Sequence, residues 1–384
     1  MKRIKQMRER KYNKIIVISA VNLINGGTLS ILKDFLNVIS LYLKNQDYKI
    51  VALINSKKLL PVYDNVEYIE YPKAKKSYLI RIYYEYFAFR KLSRELIPEY
   101  WISLHDMTPN VIAKHRMVYM HNPSPFYKVT LNDFKNHLWS NILFALFYKW
   151  VYRINVHKND YVIVQQACMR NQIAKLCNLS EDHVIVAYPE LEKDPLCGNN
   201  CNKGENVFVY PSFARPFKNQ EVVCKAAKIL SEKNKEFSVV LTIDGTENEY
   251  SRKLVNKYRS ISQISFMGVI SREKVFDLYA KSKAMIFPSK LETWGLPISE
   301  YKVYEKPMIL ADLPYAYETS KDAKLTAFFN PEDAEQLARL MGDVVVNDYS
   351  SFSENRCSPV MPPFFKDWIS LFDFIFEDIM CFQK

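Results

Sequence analysis

Short apolar runs rich in β-branched residues recur along the chain between longer amphipathic stretches. Within each run the apolar residues are continuous and do not alternate with polar ones, which is typical of strands covered on both faces of a parallel sheet. Six runs in the first half predict such strands: "KIIVISA" (14–20), "KIVALIN" (49–55), "YWISLH" (100–105), "RMVYMH" (116–121), "YVIVQQ" (161–166) and "HVIVAYP" (183–189). The first half therefore predicts an α/β domain with helical crossovers.

The pattern starts again after a polar segment rich in turn residues, "EKDPLCGNNCNKGEN" (192–206). The second half predicts strands at "VFVYPS" (207–212), "FSVVLTIDG" (237–245), "QISFMG" (263–268), "AMIFPS" (284–289) and "PMILAD" (307–312). A chain of 384 residues also exceeds the usual size of one hydrophobic core, since domains average roughly 150 residues. We therefore predict two α/β domains, 1–200 and 201–384, with an amphipathic terminal helix at "DWISLFDFIFEDIM" (367–380).

Two doubly wound domains in tandem bind ligands in a cleft at the carboxyl ends of their strands, so functional residues are expected there. Gly26 and Gly27 follow the first strand and precede a predicted helix, where a glycine pair lets the backbone approach an anion closely. His121 ends the strand "RMVYMH", and the Asn-Pro that follows holds it at the strand tip. His105 has a similar position. An ordinary turn for the glycines and a packing role for either histidine stay open at this point.

Two cations follow the first predicted strand of the second domain. Arg215 and Lys218 come directly before a predicted helix. The N-terminus of a helix already favours anions, so two further positive charges there indicate a negatively charged ligand such as a diphosphate.

Two carboxylates, Glu292 and Glu300, lie on either side of a Gly295-Leu296-Pro297 turn. Proline is favoured in the first helical turn, so Glu292 is predicted in the loop that leaves a strand and Glu300 on the following helix. Carboxylates accept hydrogen bonds from the hydroxyl groups of sugar diols, whereas the backbone N–H groups of Gly295 and Leu296 can bind phosphate. The arrangement therefore fits a nucleotide-sugar.

Composition and charge limit the class of partner. Hydrophobic residues make up 48% and charged residues 25% of the chain, which is typical of globular proteins. The formal net charge of +11 fits a solvated surface, an anionic membrane face or phosphorylated small molecules. The sequence has no helix-turn-helix, zinc-finger or aromatic RNA-binding signature, so no nucleic acid partner is expected. The seven cysteines are scattered, which favours reduced thiols in the cytoplasm. No apolar stretch reaches the ~18 residues of a membrane span, so no transmembrane helix is expected.

The segment "FPSKLETWGLPISEYKVYEKPMIL" (287–310) resembles the Glu-seven residues-Glu motif of the retaining GT-B glycosyltransferases of family four, usually "PS..E.FGLP..EA.A.G.PVI". Flanking segments agree with this pattern: "FMGVISREKVFDLYAKSKAMIFPS" upstream, "FFNPEDAEQLARLM" downstream, and "YMHNPSPFY" and the Gly-Gly turn in the first half. The resemblance spans roughly residues 14–380 and is stronger in the second half.

The resemblance implies a GT-B fold, in which two Rossmann-like domains face a cleft and the C-terminal helix packs back toward the first domain. It also implies a retaining hexosyltransferase that transfers a hexose from a nucleoside diphosphate sugar to a glycan or a lipid-diphosphate-linked acceptor, as in bacterial O-antigen or capsule synthesis. Glu292 would contact the donor sugar, Glu300 the ribose, Arg215 and Lys218 the diphosphate, and His121 the sugar pocket. No Asp-x-Asp motif ends a strand, so we expect neither metal nor cofactor, with cations and helix N-termini stabilising the leaving group.

Two positions depart from the family pattern. The family arginine five residues before the lysine corresponds here to Phe213, so Arg215 is a less direct match than Lys218, and Lys306 stands where glycine is expected before the final proline. Two other functions stay open. One is a nucleotide-sugar epimerase on the same fold, although the first half lacks the added carboxylates and histidines such an enzyme needs. The other is a catalytically silent sugar-nucleotide-binding partner of another transferase.

Two stretches of the first domain interleave aromatic and basic residues: "KAKKSYLIRIYYEYFAFRKLSREL" (73–96) and "FKNHLWSNILFALFYKWVYRINVHK" (134–158). This mixture suits the interface of an anionic membrane, and it also suits ordinary helices whose aromatic residues are buried. Together with the net charge of +11, it predicts peripheral attachment to the inner face of the cytoplasmic membrane.

Overall fold

The structure is a computed structural model that describes residues 14–129, 134, 139–189, 206–233 and 236–378. Contacts between residues divide the chain into two compact units. Of the described residues, the first unit comprises 14–122, 147–189 and 360–378, and the second comprises 123–129, 134, 139–146, 206–233 and 236–359.

Each unit is built on a sheet of parallel strands. The strands are β1 Lys14–Ala20, β2 Tyr48–Ile54, β3 Val66–Glu70, β4 Tyr100–Ser103, β5 His115–Met120, β6 Tyr161–Val164, β7 Val184–Ala187, β8 Val207–Tyr210, β9 Ser238–Leu241, β10 Ile264–Phe266, β11 Ala284–Phe287, β12 Met308–Ala311, β13 Thr326–Phe329 and β14 Phe364–Phe365. The first sheet has the order β14-β7-β6-β5-β4-β1-β2-β3, and the second β10-β9-β8-β11-β12-β13. Both orders are those of a doubly wound sheet, as predicted.

Helices connect the strands. They are α1 Gly26–Tyr42, α2 Tyr78–Tyr83, α3 Phe89–Leu96, α4 Trp139–Arg153, α5 Ala167–Cys177, α6 Gln220–Ser231, α7 Glu249–Tyr258, α8 Arg272–Lys281, α9 Leu296–Lys302, α10 Pro314–Thr319, α11 Ala334–Val345 and α12 Trp368–Asp373. A π-helical segment, Tyr84–Ala88, joins α2 to α3, and another, Phe374–Asp378, follows α12. None of the described helices is both long and apolar enough to cross a membrane.

The terminal helix α12 packs on the first unit. Trp368 is fully buried and its ring lies 5.1 Å from the ring of Phe35 on α1, while Phe372 lies 5.2 Å from the same ring. The Tyr42 hydroxyl donates a hydrogen bond to Asp373 at 2.9 Å. The helix therefore packs back toward the first domain, because its aromatic face completes the core that α1 forms on the first sheet.

The units differ from the predicted domain ranges in two places: residues 123–129, 134 and 139–146 belong to the second unit, and residues 360–378 belong to the first. The predicted boundary between residues 200 and 201 lies outside the described residues. The terminal helix was assigned to the second domain by its position in the sequence, but its contacts assign it to the first unit. All eleven predicted strands are present, whereas β3, β13 and β14 were not predicted. Glu67 and Glu70 interrupt the apolar residues of β3, and β14 has two residues, so neither forms a long continuous apolar run.

Candidate active site

The topological switch point of the second sheet lies between β8 and β11, where the chain winds outward in opposite directions on the two sides. Open parallel sheets bind ligands at this point, outside the carboxyl ends of the strands. Lys218 follows β8 in a 3₁₀ turn, Pro216–Lys218, and Glu292 follows β11. The sequence-predicted cation and carboxylate thus leave adjacent strands.

Lys218 and Glu292 form a direct ion pair, with Lys218 Nζ 2.5 Å from Glu292 Oε1. Their side chains are 18% and 10% exposed, so the pair is largely shielded from solvent but not fully buried. The Tyr210 hydroxyl donates to the carbonyl of Lys218 at 2.6 Å, and the N–H of Lys290 donates to the carbonyl of Phe217 at 2.7 Å. These bonds fix the two loops against each other and hold the pair in place.

Arg215 differs from Lys218 in its surroundings. It lies at the start of the same 3₁₀ turn and is exposed, as is Phe213, whereas the side chain of Lys218 is mostly buried. The ion pair with Glu292 is made by Lys218. Lys218 is therefore the better placed of the two predicted cations.

Glu300 is buried on α9, where its carboxylate already has protein partners. Arg272 Nη2 lies 2.9 Å from Glu300 Oε1, and the Tyr279 hydroxyl donates to Oε2 at 3.1 Å. Burial, followed by the nearby negative charge of Glu300, raises the pKa of Tyr279 well above its ordinary value. Arg272 and Tyr279 were not predicted as site residues. One signal was present: an arginine in the first turn of α8 opposes the helix dipole, which suggests another partner for it.

The Gly295-Leu296 turn joins Glu292 to α9 in a rigid loop. Gly295 has a φ of 92°, and a Cβ there would lie 3.3 Å from Ile298 and 3.6 Å from Phe287, so the position requires glycine. The Trp294 indole N–H donates to Ser299 at 2.9 Å. α9 begins at Leu296, which places Pro297 in its first turn as predicted.

The glycine position of the family pattern falls one residue earlier than predicted. The backbone is left-handed at Glu305, with a φ of 53°, and this is the conformation that favours glycine. Lys306 follows it and donates hydrogen bonds to the carbonyls of Tyr279, Ala280 and Ser282 at the end of α8, at 3.1, 2.5 and 2.8 Å. Lys306 thus satisfies the carbonyls that a helix C-terminus leaves without intrahelical partners.

The switch point of the first sheet lies between β1 and β4. Gly26 and Gly27 begin α1 there, directly after the loop that leaves β1, and Gly26 is left-handed with a φ of 60°. The predicted glycine turn is therefore at a strand end beside the switch point, and the N-terminus of α1 lies at the same edge.

Both predicted strand-tip histidines are buried at this edge of the first sheet. His105 Nε2 lies 3.0 Å from Ser19 Oγ and 3.3 Å from Glu85 Oε1, and Arg81 donates to both Nδ1 and the carbonyl of His105. Burial, followed by the positive charge of Arg81, holds the pKa of His105 well below its ordinary value. Burial also lowers the pKa of His121.

The cluster of buried polar groups around His105 was not predicted. Arg81 and Glu85 come from α2 and the π-helical segment after it, and burial raises the pKa of Glu85 to about 8. Nothing in the local pattern separates these two residues from the exposed charges of the same stretch. Across the described residues, no group of three or more His, Cys, Asp and Glu side chains could hold a metal ion.

Comparisons with known proteins identify a similar family, a similar curated protein and similar folds. Residues 198–356 match the family described as Glycosyl transferases group 1. The O-antigen chain mannosyltransferase RfbU of Salmonella typhimurium is 21% identical over 223 residues, which cover 58% of this chain and 58% of that protein. The match thus spans little more than half the length of this curated relative.

Two solved structures show a similar fold. Anabaena HepE in complex with UDP and glucose has a TM-score of 0.60 at 13% identity, with 95% of this chain and 99% of that chain covered. The lipopolysaccharide outer core galactosyltransferase WaaB, in its apo form, has a TM-score of 0.59 at 13% identity, with 88% and 91% covered. At such low identity the likeness concerns the fold, and both sheets described above agree with it.

Proposed function

We propose that this chain, whose residues 198–356 match the family described as Glycosyl transferases group 1, is a retaining glycosyltransferase. It would transfer a hexose from a nucleoside diphosphate sugar to a glycan or lipid-linked acceptor in bacterial surface polysaccharide synthesis, of O-antigen or capsule. The observation that carries the proposal is the Lys218–Glu292 ion pair at the switch point of the second sheet. It combines a cation suited to a diphosphate with a carboxylate suited to sugar hydroxyls where parallel sheets bind ligands.

In the proposed reaction, Lys218 binds the diphosphate and Glu292, released from Lys218, binds hydroxyls of the donor sugar. Glu300, oriented by Arg272 and Tyr279, accepts hydrogen bonds from the ribose hydroxyls. The bond between C1 of the sugar and the diphosphate oxygen breaks, and a bond from C1 to the acceptor oxygen forms on the same face. The departing phosphate takes the acceptor proton.

The remaining predicted residues keep the roles that the resemblance implies. Backbone N–H groups of the Gly295-Leu296 turn would bind phosphate. In the first unit, Gly26 and Gly27 would bind the donor and His121 would contact the sugar. Arg215 would add positive charge near the diphosphate.

The direct test is release of nucleoside diphosphate by the purified chain from a panel of labelled mannosyl, glucosyl and galactosyl donors. RfbU is named as a mannosyltransferase and WaaB as a galactosyltransferase, so the panel contains both sugars with UDP and GDP. We expect release with one donor, and the anomeric configuration of the product, read by NMR, to match that of the donor. Donor binding without turnover, even when a cell extract that supplies acceptors is added, would favour a catalytically silent partner. A product with the opposite anomeric configuration to the donor would exclude the retaining mechanism.

We also propose that the reaction needs no divalent metal, with Lys218 and helix N-termini stabilising the leaving group. Turnover should therefore survive an excess of chelator with less than a twofold change. Loss of turnover that magnesium or manganese restores would contradict this proposal.

A further part of the proposal is attachment to an anionic membrane through the first of the two predicted domains. Helix α4 buries one apolar face through Ile142, Ala145, Tyr148 and Tyr152 and exposes a second one at helical spacing: Leu143, Leu146, Phe147 and Trp150, each more than half exposed. In the other aromatic and basic stretch, Leu79, Tyr83 and Phe87 are exposed as well. Exposed aromatic and aliphatic groups on a chain of net charge +11 suit the headgroup region of an anionic bilayer.

Co-sedimentation with vesicles of anionic and of neutral lipid, at low and high salt, tests this attachment. Leu146→Glu should weaken binding to anionic vesicles at least fivefold, whereas Leu41→Glu, at an exposed leucine on α1, is the matched control and should have little effect. Absence of binding to anionic vesicles at low salt would contradict attachment to the inner face of the cytoplasmic membrane.

A further inference from the structure

The loop after β4 carries a carboxylate, Asp106, that accepts hydrogen bonds from the backbone at the end of the neighbouring strand β5. Asp106 directly follows His105 and has a left-handed backbone with a φ of 70°. Its N–H donates to the carbonyl of Tyr119 on β5 at 3.1 Å. Aspartate tolerates this conformation better than most residues, although it costs free energy, and such strain is common where a side chain must be held for function.

One oxygen of Asp106 fixes the backbone at the end of β5. Oδ1 accepts the N–H of His121 at 2.7 Å and the N–H of Asn122 at 3.0 Å, and it lies 3.2 Å from the hydroxyl of Tyr152. The Tyr152 hydroxyl is also 2.8 Å from the carbonyl of Asn122. Asp106 Oδ1 therefore sets the position from which the His121 side chain projects.

The other oxygen of Asp106 faces the imidazole. Oδ2 lies 3.9 Å from His121 Nε2, and both side chains are buried. Further titratable groups around His121 include Arg81 from α2, His105 from the loop after β4, and Tyr119, whose ring lies 5.5 Å from the imidazole. Arg81 opposes positive charge on His121 and Asp106 favours it, so the carboxylate is the group that offsets the nearby cation.

We propose that Asp106 is the positioning residue for His121 in the transferase reaction. Its Oδ1 fixes the backbone of His121, and its Oδ2 places a negative charge beside the imidazole. This inference rests on the proposed function, in which His121 contacts the donor sugar. Asp106 would act through His121, to which it is hydrogen-bonded, and not by binding substrate itself.

Asp106→Asn separates the two roles. Asparagine keeps an oxygen for the two N–H groups and adopts a positive φ readily, but it has no charge to offset Arg81. We expect the melting temperature to stay within a few degrees and kcat to fall at least tenfold, with the KM for the donor changed less than threefold. The pKa of His121 should fall further, so the acidic limb of the pH–activity profile should move to lower pH.

The other end of the same strand provides a matched control. At the start of β5, Asp160 accepts the N–H of Arg116 at 2.9 Å and lies 3.4 Å from the Nδ1 of His115. This pair has the same composition as Asp106 and His121 but lies at the opposite edge of the sheet from the proposed site. Asp160→Asn should therefore leave kcat, KM and the pH profile unchanged.

Titration of His121 by NMR, in the full chain and in Asp106→Asn, gives a readout that does not need turnover. If Asp106→Asn does not fold, Asp106→Gly suits the positive φ and removes the carboxylate. His121→Asn tests the premise separately, since normal turnover in that variant would contradict the role of His121 in the proposed function. The positioning role itself is overturned if the Asp106 variant leaves both the His121 titration and kcat as in the wild type, or behaves like Asp160→Asn.

Discussion

The carboxyl edges of the two sheets hold their charged groups in different ways. In the second unit, the side chains of Lys218 and Glu292 are 18% and 10% exposed, so water and ligands can reach the pair. In the first unit, those of Arg81, Glu85 and His105 are 7%, 0% and 0% exposed. A buried charge that loses its partner has no water to replace it. The comparison suggests that the second edge exchanges partners during function, whereas the first edge holds its partners permanently.

The largest expected effect is a difference in stability between variants at the two sheet edges. Arg81→Met removes the donor to Nδ1 and to the carbonyl of His105, and it should cost about 1–3 kcal/mol of unfolding free energy for each of these buried acceptors. Lys218→Met, the matched control, should lower the melting temperature by only about 4 °C. Thermal and urea unfolding of both variants measure this difference. Equal destabilisation would show that the Lys218–Glu292 pair is a structural element and not a binding site.

The next effect concerns binding and turnover at the second edge. Glu300→Gln should weaken nucleotide binding, and Glu292→Gln should lower turnover more than it weakens nucleotide binding, because each loses a charge-assisted hydrogen bond worth ~1.5–3 kcal/mol, about ten- to a hundredfold. Calorimetry and steady-state kinetics distinguish the two outcomes. Glu354→Gln, which disturbs an exposed ion pair with Arg356, should change neither. Normal turnover of Glu292→Gln would remove Glu292 from the proposed reaction.

A pH dependence tests the first edge separately. Burial raises the pKa of Glu85 from 4.5 to about 8, so its contribution to stability is complete below pH 4.5 and is lost as the pH rises toward 8. The wild type should therefore lose up to roughly 1.4 kcal/mol of stability per pH unit in this interval. Glu85→Gln cannot ionise, so this slope should disappear from its urea unfolding curves. An unchanged slope would mean that Glu85 remains ionised in the folded protein.

The sequence was most informative where a single local pattern determines the structure. Continuous apolar runs located the predicted strands, and the Gly295-Leu296-Pro297 turn located the start of α9 correctly. The glycine position, by contrast, was assigned to Lys306 although the left-handed residue is Glu305. The family pattern has its glycine two residues before the proline, which corresponds to Glu305, so the assignment to Lys306 was misaligned by one residue.

Contacts between residues that are distant in the chain could not be predicted from the sequence. Arg272 pairs with Glu300 across 28 positions that include a whole strand, and Arg81 reaches His105 across 24 positions that include the rest of its helical stretch and β4. The partner of a charged group depends on how strands are ordered in the sheet, which no local pattern determines. Asp106 was adjacent to His105 in the sequence, but its hydrogen bonds to His121 and Asn122 follow from the pairing of β4 with β5.

The most direct test of the account is equilibrium binding of UDP and of GDP to the purified full chain, measured by calorimetry in the presence of chelator. The account predicts binding of one nucleotide, weakened at least tenfold by Lys218→Ala and unchanged by Lys324→Ala, which removes an exposed lysine paired with Glu305. Equal affinity of the wild type and Lys218→Ala, or no binding of either nucleotide without metal, would contradict the claim that this ion pair is the donor site.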